Sequence, residues 1–268
     1  MSALTSIQLF TLREAMEADL DATLAEVARR GFTAVEAYNF VATAPELAAS
    51  LKKNGLVAPT GHAFLATTYF VNPDGSDSTT PVPTPAQVLD AAEVLGMTTV
   101  IDPYTPPARW QTREQIEKTA ELLNAAAEQA SARGLRVGYH NHNHEIEARI
   151  DGQIGLELLA SLLDPRVVLE VDLYWVARGG VDPVALVKRL GDRVVAVHVK
   201  DGTLDAEAIK AYPPADQVPA GQGVVPLAEA LAAASALEFA IVEYDAYYGG
   251  DLFDAVEASR KFLDHEEA

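Results

Sequence analysis

The feature that most constrains this chain is a rhythm in which a short apolar run is followed by a longer stretch of helical spacing, repeated eight times. Residues 7–10, 34–38, 57–62, 98–102, 135–140, 167–172, 194–199 and 239–243 read as strands. Residues 19–30, 45–53, 86–95, 112–133, 155–163, 183–190, 226–234 and 251–263 read as helices. Gly31, Gly55, Gly96 and Gly134 act as stops, and Pro183 lies near a first turn. Strands separated by whole helices pair in parallel through right-handed crossovers. Eight such units in 268 residues predict a single (β/α)8 TIM barrel, one domain over 1–268. Hydrophobic residues make up 49% of the chain, ample for the core such a barrel needs. Two segments break the rhythm. Residues 64–85, with Asn72-Pro-Asp-Gly75, Pro81, Pro83 and Pro85, and residues 205–223 read as long loops over one end of the barrel, and both are candidate lids.

Barrels carry function on the loops at the C-terminal ends of their strands. The polar residues fall there: Glu36, His62, Asp102, the stretch from His140 to Glu147, Asp172, His198, Lys200 and Glu243. Tyr139-His-Asn-His-Asn-His-Glu145 alone holds three of the six histidines. Convergent imidazoles and carboxylates of this kind suit a divalent metal. Each has a plainer reading beside it. Asp172 could cap a helix, His198 could be a satisfied core histidine between two valines, and Glu36 and His62 could be ordinary polar strand ends or substrate contacts. Glu243 has less excuse, because a buried carboxylate is costly unless paired or bound to a cation. Asp102, before Pro103, reads as a turn residue outside the site. His144 reads as exposed or structural, and His265 as a surface residue. Trp175, next to Tyr174, offers an apolar wall for a sugar ring.

The formal net charge of −19 disfavours nucleic acid and anionic membrane surfaces as partners. With no cysteine there is no disulfide, thiolate zinc site or cysteine nucleophile. The N-terminal residues have no basic segment leading into an apolar one, and no apolar run approaches the roughly 18 residues of a membrane span. A cytoplasmic location is expected, with a homo-oligomer left open.

On Tyr139-His-Asn-His-Asn-His-Glu145, Leu169-Glu-Val-Asp172-Leu-Tyr-Trp175, Gly179-Gly-Val-Asp-Pro183, Val197-His198-Val-Lys200-Asp201, Gly221-Gln-Gly223 and Val242-Glu243-Tyr, the sequence resembles the xylose isomerase-like barrel family. Within it, the likeness is to the sugar phosphate isomerase/epimerase branch, with its inosose dehydratase-like and hydroxypyruvate isomerase-like members. The resemblance implies a Glu, Asp, His, Glu set around one divalent metal, Mn²⁺ first and Mg²⁺, Co²⁺ or Zn²⁺ as substitutes. Asp172, His198 and Glu243 match that set. The first Glu is replaced at the strand end by Tyr139 or His140, so Glu145 is the expected fourth ligand, with His142 as its substitute. The implied chemistry is proton abstraction beside a metal-bound carbonyl of a ketose or keto-sugar, through an enediolate, giving isomerisation or epimerisation. Expulsion of a β-substituent would make the enzyme a lyase instead. Glu243 and a histidine, His140 or His142, are the expected acid and base, Lys200 the expected oxyanion partner, and Glu36, His62 and Trp175 the expected substrate contacts. A small carbohydrate is the implied partner. Endonuclease IV shares the barrel, but its three zinc ions and phosphate-tolerant surface fit poorly with six histidines and a charge of −19. A barrel that binds a sugar without catalysis is the third reading.

Overall fold

The computed structural model describes residues 3–71, 77–207 and 210–266. Eight parallel strands close into a barrel: β1 (Leu4–Gln8), β2 (Ala34–Ala37), β3 (Val57–His62), β4 (Thr99–Asp102), β5 (Arg136–His140), β6 (Val167–Asp172), β7 (Val194–Val199) and β8 (Phe239–Val242), each paired with its sequence neighbours and β8 with β1. Eight helices surround them: α1 (Leu20–Arg29), α2 (Ala44–Lys53), α3 (Pro85–Leu95), α4 (Arg113–Ser131), α5 (Gly155–Leu162), α6 (Pro183–Leu190), α7 (Leu227–Ala233) and α8 (Leu252–Glu266). This is the (β/α)8 barrel that the rhythm predicts. Local chemistry sets the helix starts. Asp19 and Thr112 accept from the backbone N–H three residues on, and Thr84 forms a reciprocal capping box with Gln87.

Three departures from the sequence reading have local causes. The first strand runs over Leu4–Gln8 rather than 7–10, because the Gln8 side chain accepts from the Phe10 N–H at 3.0 Å and turns Leu9–Leu12 into a 3₁₀ helix. Two short helices, Asn143–Glu147 and Leu173–Arg178, follow β5 and β6 directly, the second capped by Asp172. The 64–85 segment carries an antiparallel pair, Tyr69–Val71 with Asp77–Pro81; the Asn72-Pro-Asp-Gly75 turn lies outside the described residues, as does the His265 side chain.

Strand periodicity sends alternate residues to the helix layer and to the barrel interior. The interior floor is a small cluster of Val168, Val195, Ala196, Phe239 and Ile241, separate from the large core between strands and helices. Gly138 belongs to this interior: a Cβ there would meet Ile101 Cδ1, Val168 Cγ2 and the Val168 carbonyl oxygen. Register then stacks the polar layer above the floor. Glu170 pairs with His140 across β6 and β5, and Asp172 with His198 across β6 and β7. Gly138→Ala forces this interior apart, and a denaturant midpoint measured with and without it is expected to show a loss of about 1–3 kcal/mol.

Candidate metal and proton-transfer site

The mouth of the barrel holds a chain of buried charges. His198 is fully buried and uses both ring nitrogens: Nδ1 lies 2.7 Å from Glu243 Oε2 and 3.8 Å from Asp172 Oδ2, while Nε2 lies 2.8 Å from Glu36 Oε1 and 3.0 Å from Glu170 Oε1. Beneath it, His62 Nε2 sits 2.7 Å from Glu170 Oε1 and 3.1 Å from Glu36 Oε1, and His140 Nδ1 sits 3.0 Å from Glu170 Oε1. Gln8 Nε2 donates to Glu36 Oε1 at 2.8 Å. Above it, Lys200 Nζ lies within 2.9 Å of Asp172 Oδ2, Glu243 Oε2 and Asp245 Oδ2. Gln217 holds Asp245 in place, Nε2 donating to Oδ2 at 2.6 Å and Oε1 accepting from the Asp245 N–H at 2.9 Å.

Burial alone would neutralise these groups, and their opposite charges resist it. Glu243 is driven toward protonation by burial, yet Lys200 and His198 hold it well below the ordinary carboxylate range. Glu170, pushed up by burial and by Glu36, is brought down to about 2 by His198 and His62. His62 rises against burial to about 10 because Glu36 and Glu170 face it. Asp172 goes the other way: burial lifts it to about 6, only partly offset by Lys200 and His198. His140 and His142 are neutral imidazoles. Burial and the His198 charge lower the first well below its ordinary value, and burial lowers the second to about 4.

One group of four donors converges on the outer side of His198. His140, Asp172, His198 and Glu243 each offer an atom within 4.8 Å of all the others. The set suits a divalent ion on its own chemistry. It holds two imidazoles and two carboxylates, Asp172 Oδ1 is taken by the Trp175 N–H while Oδ2 meets the Lys200 ammonium and no amide or hydroxyl, and the second nitrogen of His198 faces carboxylates, as the far nitrogen of a metal-ligating histidine commonly does. The structure thus brings together the expected Asp172, His198 and Glu243, with His140 beside them.

Glu145 is placed elsewhere. Its Oε1 accepts from the Tyr139 hydroxyl at 2.8 Å and its Oε2 from the His142 N–H at 2.9 Å, so the expected ligand instead ties the short helix after β5 to the strand it leaves. Its expected substitute, His142, is half-buried at the mouth with Nδ1 unpartnered and its ring 5.3 Å from that of Trp175 and 5.4 Å from that of Tyr104. Glu36 and His62, expected at the substrate, both meet His198's neighbourhood: Glu36 is buried with Oε1 between His198 and His62, and His62 keeps an edge open to solvent. Trp175 is fully buried, packed edge-on against Tyr174 and 6.2 Å from the exposed Tyr212 ring of the 205–223 excursion. His144 is a structural tie, with Nε2 2.8 Å from the Thr105 carbonyl.

Several partners were missed in the sequence. Glu170 is the chief one, although its position two residues before Asp172 puts it on the same strand face. Gln8, Gln217 and Asp245 carried no signal beyond being polar near strand ends. The Lys200-Asp201 pair divides: Lys200 enters the site, while Asp201 turns away and accepts from the N–H groups of Gly221, Gly223 and Val225 at 3.0, 2.9 and 3.1 Å. Asp102 is a scaffold residue as expected, accepting from the Leu65 and Ala66 N–H groups at 2.7 Å each.

With this geometry in place, comparison with known proteins is informative. The model of the xylose isomerase-like TIM barrel family matches residues 24–265. The chain belongs to that family. Among solved structures, a sugar phosphate isomerase/epimerase from Parabacteroides distasonis aligns over 98% of this chain and 94% of its own with 20% identity and a TM-score of 0.79. A probable 3-DHS dehydratase, AsbF, from Bacillus anthracis aligns over 98% and 99% with 15% identity and a TM-score of 0.69. The IolI protein with a bound zinc atom aligns over 98% and 97%, also at 15% identity and a TM-score of 0.69. At these identities the likeness is one of fold. A search of curated proteins by sequence returned no match. No helix among the described residues of this xylose isomerase-like barrel is long and apolar enough to cross a membrane.

Lys200 offsets three carboxylates in a site almost closed to water, so Lys200→Met leaves them facing one another without a cation. Urea unfolding of the metal-free variant is expected to show a loss of about 3–5 kcal/mol.

Proposed function

We propose that this barrel is a divalent-metal-dependent isomerase or epimerase of a small ketose or keto-sugar, working by proton transfer next to the carbonyl. The observation that carries the proposal is the convergence of His140, Asp172, His198 and Glu243 at the barrel mouth, with a neutral imidazole, His142, half-buried beside them. Those four residues would hold the ion, and two imidazoles among them suit Mn²⁺, Co²⁺ or Zn²⁺ better than Mg²⁺. Bound there, the ion would supply Lewis acidity to a carbonyl oxygen.

The chain's own residues do the rest. Glu243, kept ionised by Lys200 and His198, is a carboxylate able to take a proton from a carbon lying over the mouth. His142 offers an unpartnered Nδ1 on a ring that stays neutral at pH 7, so it is fitted to take or return a proton at a second position. Lys200 has three donors and three carboxylates around it, which makes it a fixed counter-charge that positions Asp172 and Glu243. Its expected role as oxyanion partner gives way to that one. The exposed Tyr212 ring, backed by the buried Trp175, offers an apolar side for a sugar ring, and a cytoplasmic enzyme of carbohydrate metabolism is the setting that this reading implies.

A lyase is the second reading, favoured by one observation: the first position of the ligand set is His140 rather than a carboxylate, leaving Glu243 as the one glutamate at the outer set. Expelling a β-substituent needs one base and an acid for the leaving group, and Glu243 with His142 supplies both roles.

The test is proton exchange followed by NMR in deuterated buffer, with Mn²⁺ added for turnover and removed before acquisition, over free ketoses, keto-cyclitols and 3-keto-glycosides. Deuterium beside the carbonyl of a rearranged sugar is the expected result. Release of water or an aglycone would establish the lyase, and no exchange with any compound would leave a sugar-binding barrel. Glu243→Gln and His142→Gln are each expected to lower kcat by about 10²–10⁴-fold.

A further inference from the structure

The outer set uses one side of His198. On its other side lies a second and more regular arrangement. His62 Nε2, Glu170 Oε1, His198 Nε2 and Glu36 Oε1 form a closed ring of alternating nitrogen and oxygen, with successive edges of 2.7, 3.0, 2.8 and 3.1 Å. Read as hydrogen bonds, the ring fails on proton count. Each Nε2 carries at most one hydrogen, so two protons at most serve four close contacts, and Glu170 Oε1 has a third contact of its own, to His140 Nδ1 at 3.0 Å. The carboxylates are almost fully buried, and their other oxygens, Glu36 Oε2 and Glu170 Oε2, have no hydrogen-bond partner at all. Two ionised carboxylates with their Oε1 atoms turned to the same two nitrogens are a poor hydrogen-bond network and a good chelate.

The dimensions agree. Edges of 2.7–3.1 Å are the spacing of neighbouring donors held about 2 Å from one ion at near-right angles, a square or octahedral arrangement rather than the tetrahedron of structural zinc. His62, His140, Glu170 and His198 also each offer an atom within 4.8 Å of all the others, so the imidazole of His140 stands against three of the four ligands from the β5 side, while Glu36 joins the ring through its contacts to His62 and His198.

We propose that the ring of Glu36, His62, Glu170 and His198 is a second divalent-metal seat inside the barrel, below the outer one. The two seats share the His198 ring, which offers Nε2 to the inner ion and Nδ1 to the outer. With both filled, His198 would serve them as a bridging imidazolate, and the two N–H protons of its charged form would leave to solvent. Glu36 and Glu170 are buried and the His62 ring is the one ligand with an edge open to solvent, so the inner ion would chiefly fix the outer ligands and their charge. The proposal uses contacts on the far side of His198 and stands or falls separately from the outer set.

The test counts ions. Chelator-treated full-length protein is saturated with Co²⁺, freed of excess by gel filtration and assayed for cobalt, alongside His62→Ala, Glu170→Gln and Asp172→Asn, each checked for a cooperative thermal transition. Two ions per wild-type chain, falling to about one in His62→Ala and again in Glu170→Gln, is the expected result. The conservative Glu170→Gln keeps the test decisive if His62→Ala does not fold. A wild-type count of one overturns the inner seat if that ion survives in both inner variants. If this single ion is also lost in Asp172→Asn, the outer reading stands alone. A single ion lost in both inner variants and kept in Asp172→Asn would instead leave the inner seat standing and remove the metal from the proposed reaction site.

Discussion

Four carboxylates, Glu36, Glu170, Asp172 and Glu243, are buried around one imidazole, and the architecture of the barrel mouth follows from the need to keep them charged there. Removing such groups from water costs several kcal/mol each unless a cation lies close by. Lys200 answers for Asp172, Glu243 and Asp245 on the outer side; His62 and His198 answer for Glu36 and Glu170 on the inner. His198 stands between the two halves with one nitrogen in each. That placement is a product of strand register, since β7 puts His198 level with Asp172 on β6 and Ile241 on β8. A slip of one residue would turn the imidazole into the helix layer.

The same residue type serves a different end a few ångströms away. Asp102, Asp201 and Asp216 are also buried, but their oxygens accept mainly from backbone N–H groups of the loops beside them, and Asp216 also from the Tyr174 hydroxyl at 2.7 Å. These carboxylates shape the rim. They hold the segments after β3 and β7 at the mouth, where Tyr104 and Trp175 stand against His142 and Tyr212 against Trp175. Scaffold and site are thus separated by partner: carboxylates that meet amides hold loops, and carboxylates that meet imidazole and ammonium hold charge.

Much of this was legible in the sequence. The eightfold rhythm required parallel pairing and closure, and the polar residues at the ends of Val- and Ile-rich runs marked the functional face. Glu243 stood out because a buried carboxylate at the end of an apolar strand needs a partner, and Asp172 and His198, each with a plainer reading of its own, gained weight beside it. Glu170 did not, since it was read as part of the strand instead of by its face; period two from Asp172 places it inside. Glu145 misled for the opposite reason. Its place in a histidine-rich stretch suggested a ligand, whereas the backbone turns into a helix at Asn143 and spends the carboxylate on Tyr139 and the His142 N–H. Asp245 meets Lys200 just beyond the end of β8, and Gln217 reaches Asp245 only through the path of the 205–223 excursion, a matter of loop geometry that periodicity does not encode.

The most direct test of this account is anomalous diffraction from crystals grown with Mn²⁺, with data collected where manganese scatters anomalously. The account predicts a peak among His140, Asp172, His198 and Glu243 at the mouth of the barrel. Manganese found only on the outer helices, with His198 and Lys200 still paired to their carboxylates as in the metal-free geometry, would contradict it.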